Sequence, residues 1–402
     1  MFGFKRVLSL LLTLCLLPVT AMADVPDFEY EDDGVIEVSL DEEASVAEEV
    51  SLDDDEEVLN LDLDEDSEFY ISDEIYDELI ELDGEIDDNV DRGVLELNKN
   101  LPDNVINILL VGIDSRSTEL EKGGQHGDVQ IILSINKDTG SVKLSSIQRD
   151  LYVTIPGYKN KNRINVAYQY GQNRPDINGS GGQLAMRTIN HMLQLNIEYY
   201  ATINFYGLAS IIDALGGVDM ELTRAEANAV NTYLRQHPPA YDNRDKDYVR
   251  QELAKMDGVQ HLDGVQAVMY ARTRSVDNDF GRTKRQRKLL EVLLQNVMQD
   301  MSVMRLLDLI DTTIPYVTTN MNVSEMFDLA LGLLQSGIID RARNGEPLLE
   351  QHQIPRDGTW KYSTVTSGGS KMSVVYFLSG GLQKNVEALH EFIYGEYIPA
   401  KK

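Results

Sequence analysis

Residues 106–113 read I-N-I-L-L-V-G-I, a nearly continuous apolar run between two polar segments. Such a run is typical of a β-strand that is buried on both faces at the centre of a sheet. Two further apolar segments, 129–135 and 142–147, follow it and are joined by the turn sequence N-K-D-T-G at 136–140. This pattern predicts a central strand beside an antiparallel hairpin.

Charged residues stand at the ends of these three strands. Asp114 and Arg116 follow the first strand, Asp128 precedes the second, and Arg149 follows the third. If the first strand also runs antiparallel to the second, all four residues meet at one edge of the sheet. Two carboxylates and two guanidinium groups at one edge are hard to explain by packing, so they indicate a functional site.

A basic stretch at 268–288 reads V-M-Y-A-R-T-R-S-V-D-N-D-F-G-R-T-K-R-Q-R-K. From Arg282 onwards the spacing predicts a helix with an apolar stripe at Leu289, Leu290, Leu293, Leu294 and Val297. Projected backwards, this stripe passes through Arg282, Arg285 and Gln286, which places two arginines and a glutamine on the buried face.

The same projection places Lys284, Arg287 and Lys288 on the solvent side of the helix. A basic run is often no more than a solvated helix face, and that is the alternative explanation for this stretch. The two inward-facing arginines argue against it, because buried guanidinium groups need anionic partners. The stretch therefore indicates a site for a highly charged anion, and phosphate groups are the best candidate.

The remainder of the chain alternates predicted strands and helices. Strands are expected at 199–204, 218–222 and 374–378, helices at 183–193, 206–215, 264–271, 282–300, 302–312, 323–335 and 384–394, and an exposed loop at 236–260. Mixed strands with helices on both sides predict an α/β fold, namely one three-layer α/β/α domain with a mixed central sheet. We assign this domain to residues 101–397, with its core motifs at 105–290 and a helix-and-strand completion at 291–397.

The N-terminus has the features of an export signal. Lys5 and Arg6 precede an apolar run at 7–17, and A-M-A follows at 21–23. Residues 1–23 are therefore predicted to be a signal peptide that is either cleaved or retained as a membrane anchor. The only cysteine, Cys15, lies inside this segment, so the cleaved chain contains no thiol or disulfide.

The formal net charge of −31 is concentrated in one segment. Residues 24–100 contain 33 Asp or Glu and only two basic residues, Arg92 and Lys99. This composition predicts a disordered acidic linker, since the segment has too few apolar residues to build a core. The remainder of the chain is nearly neutral.

Taken together, the motifs of residues 105–290 resemble those of the LytR-CpsA-Psr (LCP) family. The matching motifs are L-L-V-G-I-D-S-R at 109–116, Asp128, S-I-Q-R-D at 146–150, R-I-N at 163–165, A-L-G-G-V-D at 214–219, L-D-G at 262–264 and the basic stretch through Arg285 and Gln286. Two positions depart from the family pattern. Gln148 stands where proline is usual, and Arg163 stands where lysine is usual.

The resemblance implies an extracytoplasmic enzyme of the Gram-positive cell envelope. It would transfer a polyprenyl-pyrophosphate-linked glycopolymer, such as a teichoic acid or a capsular-type polysaccharide, onto a peptidoglycan sugar hydroxyl. The lipid donor would bring the enzyme to the membrane surface. We expect a monomer that does not bind nucleic acid, because an exported chain without a helix-turn-helix has no evident use for it.

The resemblance also implies roles for individual residues. The pyrophosphate would be bound by Arg116, Arg149, Arg163, Arg272, Arg274, Arg282, Arg285 and Gln286. Arg149 would also act in catalysis, and Asp114 and Asp128 would hold Mg²⁺. Asp277 or Asp279 would either accept the proton of the acceptor hydroxyl or orient the neighbouring arginines, and both roles stay open.

Two other functions remain open at this stage. The same residues would suit a polyprenyl-pyrophosphate hydrolase that uses water as the acceptor. A non-catalytic module that binds the wall or regulates its assembly is the second alternative.

Overall fold

The computed structural model describes residues 90–113, 125–236, 250–273, 275–276, 279–299, 317–321, 325, 329, 333, 337–367 and 370–401. Its largest sheet has six strands: β1 (Val105–Ile113), β2 (Gly127–Asn136), β3 (Val142–Ile147), β6 (Tyr199–Asn204), β9 (Val317–Thr319) and β10 (Leu349–Ile354). Their order across the sheet is β10-β3-β2-β1-β6-β9. Three small two-stranded sheets are formed by β4 (Tyr152–Val153) with β5 (Asn162–Arg163), β7 (Val218–Leu222) with β8 (Gly258–Leu262), and β11 (Trp360–Ser367) with β12 (Ser370–Phe377).

The central sheet is mixed, as predicted. β2 runs antiparallel to both β1 and β3, whereas β6 runs parallel to β1 and β10 runs parallel to β3. The carboxyl ends of β1, β3, β6 and β10 therefore lie at the same edge of the sheet as the amino end of β2. We call this edge the upper edge, and we call the opposite one the lower edge.

Nine helices are described: α1 (Val166–Asn173), α2 (Pro175–Asn178), α3 (Gly181–Leu193), α4 (Phe205–Ala214), α5 (Arg224–Gln236), α6 (Gly264–Arg272), α7 (Asp279–Gln299), α8 (Ile338–Arg343) and α9 (Gly381–Tyr394). They cover both faces of the sheet. Ile108 and Leu110 of β1 pack into one apolar core with α4, α6 and α7. Leu109 and Val111, which point the other way, pack into a second core with α1, α3 and α9. The three-layer α/β/α arrangement is confirmed.

The boundary that we predicted at residue 101 is too late. Val90 and Leu95 are buried in the core beneath α3, and Leu95 is fully inaccessible to solvent. The Asn190 side chain donates a hydrogen bond of 3.0 Å to the Leu95 carbonyl. Isolated apolar residues in an acidic background gave no periodic signal, which is why the sequence did not separate this part from the linker. The linker at 24–89 and the segment at 1–23 lie outside the described residues.

Several strands in the C-terminal half were not predicted. β8 lies in the region that we expected to be a loop, β10 extends the central sheet, and β11 pairs with β12, of which only 374–378 had been predicted as a strand. The predicted helix at 302–312 lies outside the described residues. Within the part of the chain that the structure describes, no helix combines the length and the apolarity that a bilayer crossing requires.

Candidate functional site

The upper edge brings Asp128 and Arg149 together, as the strand order predicted. Ile113 at the end of β1 pairs with Gly127, and Ile147 at the end of β3 pairs with Gln130. Nη1 of Arg149 lies 3.4 Å from Oδ1 of Asp128, and each side chain is about 8% exposed. A buried ion pair of this kind holds both groups in place. Their desolvation costs free energy unless further polar groups also bind them.

Asn165 completes this pair, although sequence reasoning gave it no role beyond membership of the R-I-N motif. Its Nδ2 donates to Oδ1 of Asp128 at 2.9 Å, and its backbone N–H donates to the Arg149 carbonyl at 3.3 Å. Its Oδ1 is buried and has no hydrogen-bond partner among the described residues. An oxygen acceptor without a donor next to a carboxylate is the kind of group that a cation would satisfy.

Arg163 is held beside this pair by partners of its own. Its Nε and Nη2 donate to the Ser373 carbonyl of β12 at 3.0 and 2.6 Å, and its Nε lies 3.3 Å from Oδ1 of Asp150. Oδ2 of Asp150 lies 3.8 Å from Nε of Arg149. Asp150 therefore links Arg163 to Arg149, a bridging role that the sequence did not reveal.

The basic helix buries the face that the apolar stripe indicated. Arg282 is fully buried and is the largest side chain in the described part of the chain with so little exposure. Arg285 and Gln286 are 4% and 1% exposed. Nη2 of Arg285 donates to the Thr273 carbonyl at 2.5 Å, and its Nη1 lies 3.8 Å from Oε1 of Glu226. Glu226 lies on α5 and had no recognisable sequence signal.

Arg272, at the end of α6, is held by aromatic rings. Its guanidinium carbon lies 4.2 Å from the centroid of Phe205 and 5.4 Å from that of Tyr233. Such contacts hold a guanidinium group without neutralising its charge. Phe205 begins α4 directly after β6, whose last residue, Asn204, pairs with Ile113 at the upper edge. Arg272 is therefore positioned at the same edge as Arg149.

The prediction for Arg287 was wrong. Arg287 does not lie on the solvent side of α7: its Nη1 donates to Oγ of Ser146 on β3 at 3.1 Å. Burial lowers the pKa of the guanidinium group. The helical projection failed here because the central sheet approaches α7 closely at this turn, so that a position beside the apolar stripe is also covered.

The remaining predicted site residues cannot be placed. Asp114, Arg116, Arg274 and Asp277 lie outside the described residues. Asp279 is the first residue of α7, and only its backbone is described. Their roles as metal ligands, pyrophosphate ligands and catalytic base stay predictions.

The described oxygen atoms fit a magnesium ion. Asp128 supplies a carboxylate, and Asn165 supplies the unpaired amide oxygen beside it. The described residues contain no group of three or more His, Cys, Asp or Glu that could hold a metal by themselves. Mg²⁺ is commonly held by one or two carboxylates together with substrate phosphates and water, so a sparse set of this kind suffices.

Sequence comparison finds related proteins. Two curated relatives are named polyisoprenyl-teichoic acid–peptidoglycan teichoic acid transferase TagU. The Enterococcus faecalis relative is 30% identical over 242 residues, covering 60% of this chain and 68% of its own length. The Halalkalibacterium halodurans relative is 27% identical over 292 residues, covering 71% of this chain and 82% of its own length.

Solved structures share the fold. TagT bound to LIIa-WTA superimposes with a TM-score of 0.52 at 20% identity, covering 74% of this chain and 95% of its own. The Streptococcus agalactiae protein gbs0355 gives a TM-score of 0.55 at 20% identity, covering 74% and 91%. The model of the LytR_cpsA_psr family matches residues 74–388, which is most of the chain. This protein therefore belongs to the LytR_cpsA_psr family.

Proposed function

We propose that this protein is an extracytoplasmic transferase that moves a polyprenyl-pyrophosphate-linked glycopolymer onto a peptidoglycan sugar hydroxyl. The names of its TagU relatives make a teichoic acid the leading candidate for the polymer. The observation that carries the proposal is that three distant segments place arginines at or beside one sheet edge. Arg149 follows β3, Arg272 ends α6, and Arg282 and Arg285 lie on the first turns of α7.

The main contribution of the protein to this reaction is to position the reactants and to neutralise charge. The acceptor hydroxyl oxygen attacks the phosphorus next to the sugar, a new P–O bond forms, and the bond to the lipid-side phosphate breaks. The hydroxyl proton passes to a base, for which Asp277 and Asp279 remain the candidates. The polyprenyl phosphate leaves with an additional negative charge, which the buried arginines stabilise because they need no reorganisation during the reaction.

Each residue on the described part of the edge has a task in this scheme. Arg149 binds a phosphate oxygen while its contact with Asp128 fixes its direction. Arg272 is oriented by its contacts with the rings of Phe205 and Tyr233 and would bind a further phosphate oxygen. Asp128, Asn165 and the predicted ligand Asp114 would hold Mg²⁺, which supplies charge neutralisation at the phosphates when it is bound.

Reconstituted transfer tests this proposal. Purified protein is given a lipid-linked donor, peptidoglycan fragments and Mg²⁺, and the joined product is measured by mass spectrometry. We expect the double variant Asp114→Ala with Asp128→Ala, and the addition of a chelator, each to reduce transfer by about a hundredfold or more. Intact transfer by the double variant would exclude the metal role.

The products separate the alternatives. Free phosphate products formed in the presence of peptidoglycan would indicate a hydrolase. Binding of the polymer without turnover when Mg²⁺ is supplied would indicate a non-catalytic module. N-terminal sequencing of the protein purified from its host would show whether residues 1–23 are removed or retained, and so test the proposed location.

A further inference from the structure

Arg287 is a largely buried cation for which the described part of the chain offers no counter-charge. Its one side-chain hydrogen bond there goes to Oγ of Ser146 at 3.1 Å. Its Nε is buried and has no acceptor, and no described carboxylate lies within 4 Å of its guanidinium group. A desolvated guanidinium group without an anion is unfavourable, so this position is costly in the absence of a ligand.

The electrostatics agree with that geometry. Burial is the cause of the lowered pKa of Arg287, and no charged group among the described residues contributes to the shift. An arginine stays protonated in proteins even so. The described residues therefore leave the positive charge at this position uncompensated, in contrast to Arg149, which has the carboxylate of Asp128.

A small pocket opens beside Arg287. It is lined by residues of β2 and β3 together with Gln148, Gln286 and Arg287, and it has room for about one water molecule. That is enough space for one oxygen of an anion. Ser146 accepts the bond from Arg287 and donates its own proton to the His352 carbonyl at 3.4 Å, so it positions Arg287 without a proton to offer a ligand.

The pocket and the Asp128 pair approach the upper edge from opposite layers. Asn165, which contacts Asp128, directly precedes α1 in the layer of the second core. Arg287 comes from α7 in the layer of the first core. Gln148 lines the pocket, and the next residue, Arg149, contacts Asp128. A ligand with two linked phosphates could therefore be held from both sides of the sheet.

We propose that Arg287 and Gln148 form a second oxyanion subsite that takes one phosphate of a diphosphate while the Asp128–Arg149 side takes the other. This inference rests on the proposed function, because it assigns the second phosphate of that donor. Gln148 lines the pocket and carries an amide N–H₂ group that can donate a hydrogen bond to an anion.

Binding of inorganic pyrophosphate and inorganic phosphate to the purified protein tests the subsite, with calorimetry at low ionic strength as the readout. We expect Arg287→Gln to weaken pyrophosphate binding about tenfold or more, the effect of losing one charge-assisted hydrogen bond. Phosphate binding should change less, since a single phosphate can occupy the Asp128–Arg149 side alone. Gln148→Ala should weaken pyrophosphate binding in the same direction by a smaller factor.

The matched control is Lys284→Gln, which removes one positive charge from an exposed position on the same helix. It should leave pyrophosphate affinity within about twofold, since exposed charges are screened. The temperature of unfolding without ligand gives a second readout. Arg287→Gln should not lower it, because the substitution removes an uncompensated buried charge, whereas a purely structural arginine would give a clear decrease.

Three results would overturn the inference. The first is an unchanged pyrophosphate affinity in Arg287→Gln, and the second is an equal loss of pyrophosphate affinity in Arg287→Gln and Lys284→Gln. The third is an equal loss of phosphate and pyrophosphate affinity in Arg287→Gln, which would indicate a site for one free phosphate. Failure of the proposed function looks different. In that case the wild-type protein would not transfer polymer, while the difference between Arg287→Gln and its control would persist.

Discussion

The upper edge of the central sheet and the interior of its lower half differ in whether their buried polar atoms have hydrogen-bond partners. In the lower half, Oγ of Ser134 donates to Oδ1 of Asn107 at 2.6 Å. Nδ2 of Asn107 then donates to Oδ1 of Asn196 and to the hydroxyl of Tyr394, both at 2.7 Å. At the upper edge, Oδ1 of Asn165 and Nε of Arg287 are buried without a partner among the described residues.

This difference separates two uses of buried polarity. A polar cluster whose atoms are all paired stabilises the fold and specifies the packing of the layers. A cluster that leaves acceptors and cations unpaired lowers the stability of the empty protein and is completed by a ligand. Substitutions in the two regions should therefore have opposite signatures, with activity affected at the upper edge and stability affected in the lower half.

The largest effect is expected for Arg149→Met, which removes a buried guanidinium group from the upper edge. Transfer should fall about a hundredfold, because a charge-assisted contact to phosphate contributes roughly 1.5–3 kcal/mol and Asp128 also loses its partner. Initial rates of polymer transfer measure this, and circular dichroism confirms that the variant is folded. Arg149→Lys serves as the control and should be intermediate, because it keeps the charge but not the forked geometry. Wild-type rates in Arg149→Met would remove this residue from the site.

The next effect is on stability alone. Asn107→Ala should lower the free energy of unfolding by about 2–3 kcal/mol, because it leaves the buried Ser134 hydroxyl and the partly buried Asn196 amide oxygen without their partner. Urea denaturation measures the change. Asn100→Ala is the control, since the exposed Asn100 loses a 2.7 Å bond to the Pro399 carbonyl that water can replace. If Asn107→Ala lost transfer activity under conditions in which it is fully folded, the two regions would not differ in the way described.

The smallest effect is expected for Tyr233→Leu, which removes one of the two rings beside Arg272. A cation–π contact is worth about 0.5–1 kcal/mol, so the KM for the lipid-linked donor should rise roughly two- to fivefold. Because Phe205 still holds Arg272, kcat should change little. Steady-state kinetics separate the two constants, and a fall in kcat at constant KM would contradict a role in holding Arg272 for ground-state binding.

The sequence predicted the upper edge because the information is local there. The apolar runs around 106–113, 129–135 and 142–147 define a hairpin and its neighbour, and alternating strand direction then places Asp128 beside Arg149. The buried face of α7 is equally local, since the leucine stripe continues through Arg282 and Arg285. Short-range periodicity was sufficient for both.

Contacts that depend on distant segments were not predictable in this way. β10 pairs with β3, from which it is separated by more than 200 residues in the sequence. Its sequence, L-E-Q-H-Q-I, has too few apolar residues to predict a strand of the central sheet. The partner of Arg287 is Ser146 on another element, so no pattern within α7 reveals that the arginine is covered. Glu226 likewise meets Arg285 only through the packing of α5 against the rest of its layer.

The contact between residues 98–100 and the C-terminal segment has a practical consequence for engineering. The Asn98 and Asn100 side chains donate to the carbonyls of Ile398 and Pro399 at 3.0 and 2.7 Å, so the first part of the folded unit runs beside its C-terminal segment. A linker from the C-terminal segment to the residue before Val90 would keep Val90 and Leu95 in the core, and a circular permutant can be opened in the exposed turn at 137–139, which lies at the lower edge. Such a permutant would carry a label at its new termini without obstructing the arginines.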